Sequence, residues 1–298
     1  MEYWTGVLVI SGINLIAILG VALFTGFTGL FSFGHGGFMA IGAYASALFA
    51  IRAGVPVPLG WAMGAVLAGA VSVLIGYPAL RLRGDYFVIA TLGFGETIRL
   101  LVENSHKLTG GARGLPDIPP GVNIWVVLVL DLMAIIALRN FIGSRHGRNC
   151  VAVREEETAA ETVGIDTTRY KTIALAISAG LAGLSGALMA SWIRYLHPSM
   201  FGLNKSTEIT IAVILGGQGT LTGAVLAAML LIPLPEVLRM AQEWRLVAYG
   251  LIVVLISVLR PEGLFGYREI TFEGFRRLCR RPPSPPSGPV LNGEEASP

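Results

Sequence analysis

The sequence predicts an all-α polytopic membrane protein. The chain has 298 residues, of which 53% are hydrophobic and only 14% are charged. Soluble domains carry about 25% charged residues, so the deficit indicates apolar surface that does not meet water. The apolar runs are continuous over about 20 residues, whereas strands of outer-membrane barrels alternate in segments of about ten. We therefore expect about eight or nine transmembrane helices.

Four apolar runs in the first half are predicted to cross the membrane, at residues 6–27, 38–50, 59–80 and 86–102. The glycine-rich stretch 28–37 separates the first two. Such a break is tolerated in a membrane only where it lines a cavity or is buried in protein. We take Ser32, Gly34, His35 and Gly36 as candidate residues of a substrate pathway. For His35, a packing or hydrogen-bonding role is favoured over a proton relay.

Charged side chains inside the fourth run need a partner. Glu96 and Arg99 are three residues apart, so they share one helical face and are predicted to form a buried ion pair. A structural pair that holds this helix to its neighbours is favoured, and a substrate contact stays open as the alternative.

An external loop is expected at residues 103–121, and it contains the sequence TGGARGLP from Thr109. Glycines allow backbone conformations that other residues avoid, so main-chain amides at Thr109, Gly110 and Gly111 can face a ligand carboxylate. The stretch is equally compatible with an ordinary loop.

Further apolar runs follow at residues 122–138, 172–192, 207–215, 224–238 and 246–259. The run 172–192 is rich in small residues, which predicts close helix packing. A second glycine break, 216–223, separates two short runs, and we take Gly216, Gly217 and Gly219 as candidate pathway residues. Paired interrupted segments in two halves are typical of an internal repeat in transporters.

The interval 139–171 is the one long polar stretch within the apolar part, and six of its residues are basic. Basic residues beside a span resist translocation, so the interval is predicted to be cytoplasmic. Residues 154–164 are expected to form a helix that Gly164 ends, with Asp166 capping the next one. A docking helix and a plain charged linker are both compatible with this composition.

The same charge rule orients the rest of the chain. The N-terminus lacks preceding basic residues and is expected outside, in the periplasm. Residues 1–266 are predicted to form the transmembrane domain. Residues 267–298 are expected to be a cytoplasmic tail, first basic and then disordered.

No catalytic constellation stands out. A phosphate-binding loop needs Gly-Lys followed by Ser or Thr, and none of the lysines (Lys107, Lys171 and Lys205) follows a glycine. The four histidines have no metal-ligand spacing, and neither Ser32 nor Ser178 has a matched base in the sequence. The formal net charge of +3 is confined to loops and tail, which gives no indication of nucleic-acid binding.

Five motifs in order resemble one family. They are SFGHGGFMAIGAYASALFA, LRLRGDYFVIATLGFGETIRLL, TGGARGL, VREEETAAETVGIDTTRYKTIALAISAGLAGLSGALMA and ILGGQGTLTGAV. Together they resemble the LivM-type permease of branched-chain amino acid ABC importers, over about residues 20–266.

The resemblance implies a transport subunit of the bacterial inner membrane that is not itself an enzyme. It implies a second, LivH-type permease, a periplasmic substrate-binding protein and two ABC ATPase subunits that bind ATP and Mg²⁺, with no cofactor in this chain. The coupling motif of such permeases corresponds to Glu157, Ala159, Ala160, Glu161 and Gly164.

Two other transport functions stay open. Related permeases carry urea or short amides. An ion-coupled secondary carrier would instead use an intramembrane carboxylate, with Glu96, Asp131 and Glu208 as candidates.

Overall fold

The structure, a computed structural model, describes residues 2–82, 84–237 and 245–259. The helices of these residues are α1 (Glu2–Thr28), α2 (His35–Ala53), α3 (Val57–Ala79), α4 (Asp85–Asn104), α5 (His106–Thr109), α6 (Ile124–Gly143), α7 (Arg145–Glu155), α8 (Glu157–Thr162), α9 (Thr167–Ile193), α10 (Leu203–Gly216), α11 (Leu221–Leu231), α12 (Leu234–Val237) and α13 (Arg245–Leu259). Short 3-10 turns lie at Gly111–Arg113 and Pro198–Phe201. Within these ranges there is no strand, so the all-α class is confirmed.

Five of these helices are long and apolar enough to cross a membrane: α1, α2, α3, α6 and α9. The helix α4 has 20 residues but carries several charges, and α10, α11 and α13 are shorter. The count of eight or nine crossings therefore stays a prediction. The tail 267–298 lies outside the described residues.

Several helix boundaries differ from those predicted. The first non-helical stretch is only 29–34, because Gly36 and Gly37 already belong to α2. The second is only 217–220. The predicted run 224–238 is not one helix, since α11 ends at Leu231 and Pro233, which has no N–H to donate, follows.

The helix α9 lies at the centre of the molecule and packs against α1, α2 and α3. Its small residues permit this: Gly186 lies against the carbonyl of Met39 in α2, and Gly183 against Gly64 and Ala68 in α3. The close packing that its sequence predicts is confirmed.

The helices α3 and α9 are antiparallel and define two faces of the molecule. Trp61, near the start of α3, donates a hydrogen bond of 2.9 Å to Ser191, near the end of α9. At the other end, Gly76 packs against Leu175. We call the side that carries α7 and α8 the α8 face, and the side that carries residues 105–123 and 194–198 the loop face.

Candidate functional site

The polar interval forms two short helices rather than the single helix predicted over 154–164. The break is at Glu156, whose backbone is extended, with φ −156° and ψ 105°. Glu155 pairs with Arg154 and Glu157 pairs with Lys171. The carboxylates on either side of the break thus have different partners.

Both predicted helix-end signals of this region are confirmed. Gly164 has φ +85°, and the Ile165 amide just beyond it donates to the Ala160 carbonyl at 3.0 Å. This left-handed stop ends α8. Asp166 then accepts a 3.0 Å hydrogen bond from the Arg169 amide and caps α9.

Most residues of the predicted coupling motif are accessible on α8: Glu157, Ala159, Glu161 and Gly164 are exposed. Ala160 differs, because it is 4% exposed and packs within the chain. Val163, which the sequence analysis did not single out, is 76% exposed.

Two side-chain contacts fasten α8 to α9. The Lys171 ammonium pairs with the Glu157 carboxylate, and the lysine side chain is only 8% exposed. The Thr167 hydroxyl donates to Glu161 at 2.9 Å. A displacement of α8 would therefore act directly on the first turns of α9.

Arg154 connects α7 to the core, a role that no signal in the sequence predicts. Its Nη1 donates to the Gly26 carbonyl of α1 at 2.8 Å. Its side chain also packs against Gly29 and Gly219, one in each glycine break. Both breaks therefore contact one arginine at the α8 face.

Cys150 anchors the inner side of α7. It is fully buried, and its sulfur lies 4.0 Å from the Tyr170 carbonyl. Burial raises the pKa of the Cys150 thiol to about 11.

The candidate residues of the first glycine break are buried between helices. His35 Nε2 lies 2.7 Å from the Ser178 hydroxyl of α9, and the Gly36 amide donates to the Ser206 hydroxyl of α10 at 2.8 Å. The Gly34 amide donates to the Ser32 hydroxyl at 3.3 Å. His35 thus makes a hydrogen bond, and its role stays a prediction. Ser178 does have a histidine partner that the sequence spacing did not reveal.

The second break lies elsewhere. Gly216 is the last residue of α10 and touches Gly223, while Gly217 and Gly219 have φ of +111° and +85°. Gly219 also lies against Gly26 of α1. Arg154 contacts both breaks, but their other neighbours differ, and pathway lining stays a prediction for both.

The loop around Thr109 satisfies its own polar groups. The Thr109 hydroxyl donates to the Val102 carbonyl at 2.6 Å and accepts from the Gly111 amide at 3.3 Å. Gly110 and Gly111 have positive φ, as expected. Beside them a cavity of about 890 Å³ opens on the loop face, lined by His106, Gly110, Ala112, Arg113, Gly114, Pro116 and Tyr195.

The ion pair of α4 exists but is not buried. Arg99 Nε lies 2.7 Å from Glu96, and the two side chains are 27% and 31% exposed. The pair extends to Glu103, 2.9 Å from Arg99 Nη1. The prediction of burial was wrong because α4 packs through the side that carries Phe87, Thr91 and Gly95 and leaves the charged flank open.

Asp131 occupies the middle of α6 and is 6% exposed. Its Oδ2 faces Gly12 of α1, where any larger residue would collide with it. It therefore faces protein, as its position in the span requires. Among the residues that the structure describes, no group of three or more His, Cys, Asp or Glu is placed to hold a metal ion.

Comparison with known proteins identifies the family. The family described as "branched-chain amino acid transport system / permease component" matches residues 3–257. The high-affinity branched-chain amino acid transport system permease protein LivM of Salmonella typhimurium is 33% identical over 286 residues, which cover 85% of this chain and 67% of that protein. LivH of Escherichia coli is 26% identical over 304 residues, which cover 90% of this chain and 96% of that protein.

A probable LivM of Methanocaldococcus jannaschii is 23% identical over 233 residues, which cover 70% of this chain and 68% of that protein. No solved structure matches the chain. The family match extends from α1 into α13 and so includes both the α8 face and the charged flank of α4. The chain belongs to the family of branched-chain amino acid transport permeases.

Proposed function

We propose that this chain is one of two permease subunits of an ATP-driven importer for leucine, isoleucine and valine. Its relatives include both LivM and LivH, which supports a pairing with a LivH-type permease. A substrate-binding protein delivers the amino acid, and two separate ATPase subunits bind ATP and Mg²⁺. The chain contributes the conduit and hydrolyses nothing itself.

The observation that carries this proposal is the construction of α8. It is a short helix that exposes both polar and apolar side chains, yet it is fastened to α9 through Glu157 and Glu161. A solvated linker has no need of such fastening, whereas a helix that receives force from a partner does.

Alternating access then follows from the contacts of α7 and α8. When the ATPase subunits close on ATP, they displace α8, which moves the start of α9. Arg154 carries the same displacement to α1 and to the Gly219 turn. Because packed helices are not continuously deformable, the bundle responds by switching between two arrangements.

The proposal also orients the chain in the bacterial inner membrane. The α8 face is cytoplasmic, since its basic residues resist translocation. The loop face and the N-terminal end of α1 are periplasmic, and the C-terminal tail is cytoplasmic. The cavity beside Arg113 and Tyr195 then lies where a periplasmic binding protein would dock.

A substitution on the exposed side of α8 tests the coupling role. In vesicles containing both permeases, the ATPases and the binding protein, Ala159→Arg should abolish ATP-dependent leucine uptake, while the protein still inserts and folds. Ala53→Arg is the matched control, because Ala53 is an exposed alanine at the end of α2 on the loop face. Ala160 is unsuitable, since a bulky residue there would disrupt α8 itself.

The alternatives have distinct outcomes in the same vesicles. Normal uptake by the Ala159→Arg complex would refute the coupling role. Leucine transport by the isolated chain under an ion gradient, without ATP, would establish a secondary carrier. Competition by urea or short amides at concentrations similar to leucine would reassign the substrate.

A further inference from the structure

The helix α4 carries charges at mid-depth. It begins after α3 on the α8 face and ends at the loop face, so it traverses the molecule. Glu96 lies eleven residues into it, about 17 Å from its start at 1.5 Å per residue. This places the Glu96 carboxylate near the middle of the apolar layer.

Glu96, Arg99 and Glu103 form a continuous string along one flank of α4, with Arg99 between the two carboxylates. The Leu203 amide, at the start of α10, donates to Glu96 at 3.1 Å and fixes its position. Within the described part of the chain, Arg99 Nη2 and one Glu103 oxygen have no hydrogen-bond partner. The string therefore keeps one donor and one acceptor free.

Lipid is a poor environment for this flank. Each of the three side chains is between about a quarter and two fifths exposed, and charge exposed to hydrocarbon is costly. The exposed stripe next to it contains Gly93, with nothing within 4 Å of an added Cβ, and Thr97. The exposed stripe of α6 is apolar instead, with Leu128, Val129, Leu132, Met133 and Ile136. The surface of α6 suits lipid. The helix α4 also exposes Tyr86, Ile89, Leu100 and Leu101, so only its charged flank suits water and polar ligands.

We propose that the Glu96–Arg99–Glu103 string lines the translocation pathway and binds the two charged ends of a zwitterionic amino acid. The substrate carboxylate pairs with the free Nη2 of Arg99, and its ammonium pairs with the free oxygen of Glu103. Leu92, partly exposed on the same flank, offers an apolar contact to the substrate side chain. This inference rests on the proposed function and adds to it the residues that select an amino acid over an uncharged amide.

Cysteine labelling tests whether this flank faces water. In a chain carrying Cys150→Ser and Cys279→Ser, Leu92→Cys should react with a membrane-impermeant sulfonate thiol reagent in the assembled complex. Leucine should slow that reaction. Leu132→Cys on α6 is the control and should react only with a lipid-soluble maleimide. Failure of Leu92→Cys to react with the impermeant reagent, or reaction that leucine does not slow, would overturn the inference.

Transport kinetics test the ligand. Arg99→Gln should raise the KM for leucine about tenfold or more, since it removes a charge-assisted hydrogen bond. Arg99→Lys should restore part of the loss. Glu96→Gln keeps an acceptor for the Leu203 amide, so it removes a charge from the string while the fold is retained. An unchanged KM in Arg99→Gln would refute the carboxylate contact.

The two proposals fail separately. If the wild-type complex transports leucine while Arg99→Gln is indistinguishable from it, the ligand site is wrong and the importer function stands. If the wild-type complex moves no branched-chain amino acid, the proposed function itself is wrong, whatever the labelling of Leu92→Cys shows.

Discussion

Two glycines of α9 should respond in opposite directions to the same substitution. At Gly186, an added Cβ would lie 2.0 Å from the Met39 carbonyl oxygen of α2. At Gly180, the nearest atom, the Ala65 carbonyl oxygen, would be 3.5 Å away, an ordinary contact. Both changes to alanine improve helix propensity by up to about 1 kcal/mol.

The difference follows from the packing. To accept Gly186→Ala, α2 and α9 must separate by more than about 1 Å, which loses contacts along their interface. Overpacking of this kind costs about 1–3 kcal/mol or more. We therefore expect Gly186→Ala to lower the free energy of unfolding by about 2 kcal/mol and Gly180→Ala to raise it slightly.

Reversible unfolding of the purified chain in mixed micelles, with increasing sodium dodecyl sulfate, measures both changes. Both variants place an alanine in α9, six residues apart, so the gain in helix propensity is common to both and cancels when their unfolding free energies are compared. Equal unfolding free energies for Gly186→Ala and Gly180→Ala would refute the assignment of α9 as the closely packed centre.

Three further outcomes are expected. Glu157→Gln should cost about 2 kcal/mol of unfolding free energy because it removes the negative charge that neutralises the buried Lys171 ammonium. Lys171→Met should cost under about 1 kcal/mol because Glu157 is 46% exposed. Equal costs in the micelle assay would contradict this. In a Cys279→Ser background, the Cys150 thiol should be alkylated about a hundredfold more slowly at pH 8 in the folded protein than after unfolding, because its raised pKa depletes the thiolate. Mass spectrometry measures both alkylation rates, and similar rates would contradict the burial of Cys150. Arg154→Met removes the hydrogen-bond donor to the Gly26 carbonyl of α1. It should reduce leucine uptake per ATP hydrolysed several-fold while basal hydrolysis stays intact. A normal ratio of uptake to hydrolysis would exclude the role of Arg154 in coupling.

The sequence predicted the elements whose signals are local. The small residues of α9, the left-handed stop at Gly164 and the cap at Asp166 each depend on residues within one or two turns. The extended backbone of Glu156 has no such local signal, and the pairing of the next residue, Glu157, with Lys171 joins it to another helix.

Contacts between distant segments explain the remaining differences. The spacing of Glu96 and Arg99 predicted their ion pair but not their exposure, which depends on which flank of α4 meets α2. Likewise, Ser178 is 143 residues from His35 in the chain, so no pattern in the sequence joins them. Arg154 is known as a connecting residue only from its contacts with two glycine breaks.

These distant contacts form a continuous route from the α8 face to mid-depth. The Thr167 hydroxyl ties the start of α9 to Glu161 of α8. Eleven residues further along α9, Ser178 holds His35 at the first residue of α2. A rigid α9 therefore carries a displacement of α8 to the point where α2 begins.

From there the route reaches the charged flank of α4. Gly36, next to His35, donates to Ser206 of α10, and the Leu203 amide at the start of α10 donates to Glu96. Every link is a hydrogen bond that constrains direction as well as distance. If α8 receives force from an ATPase subunit, as proposed above, this route would transmit that force to the Glu96 carboxylate.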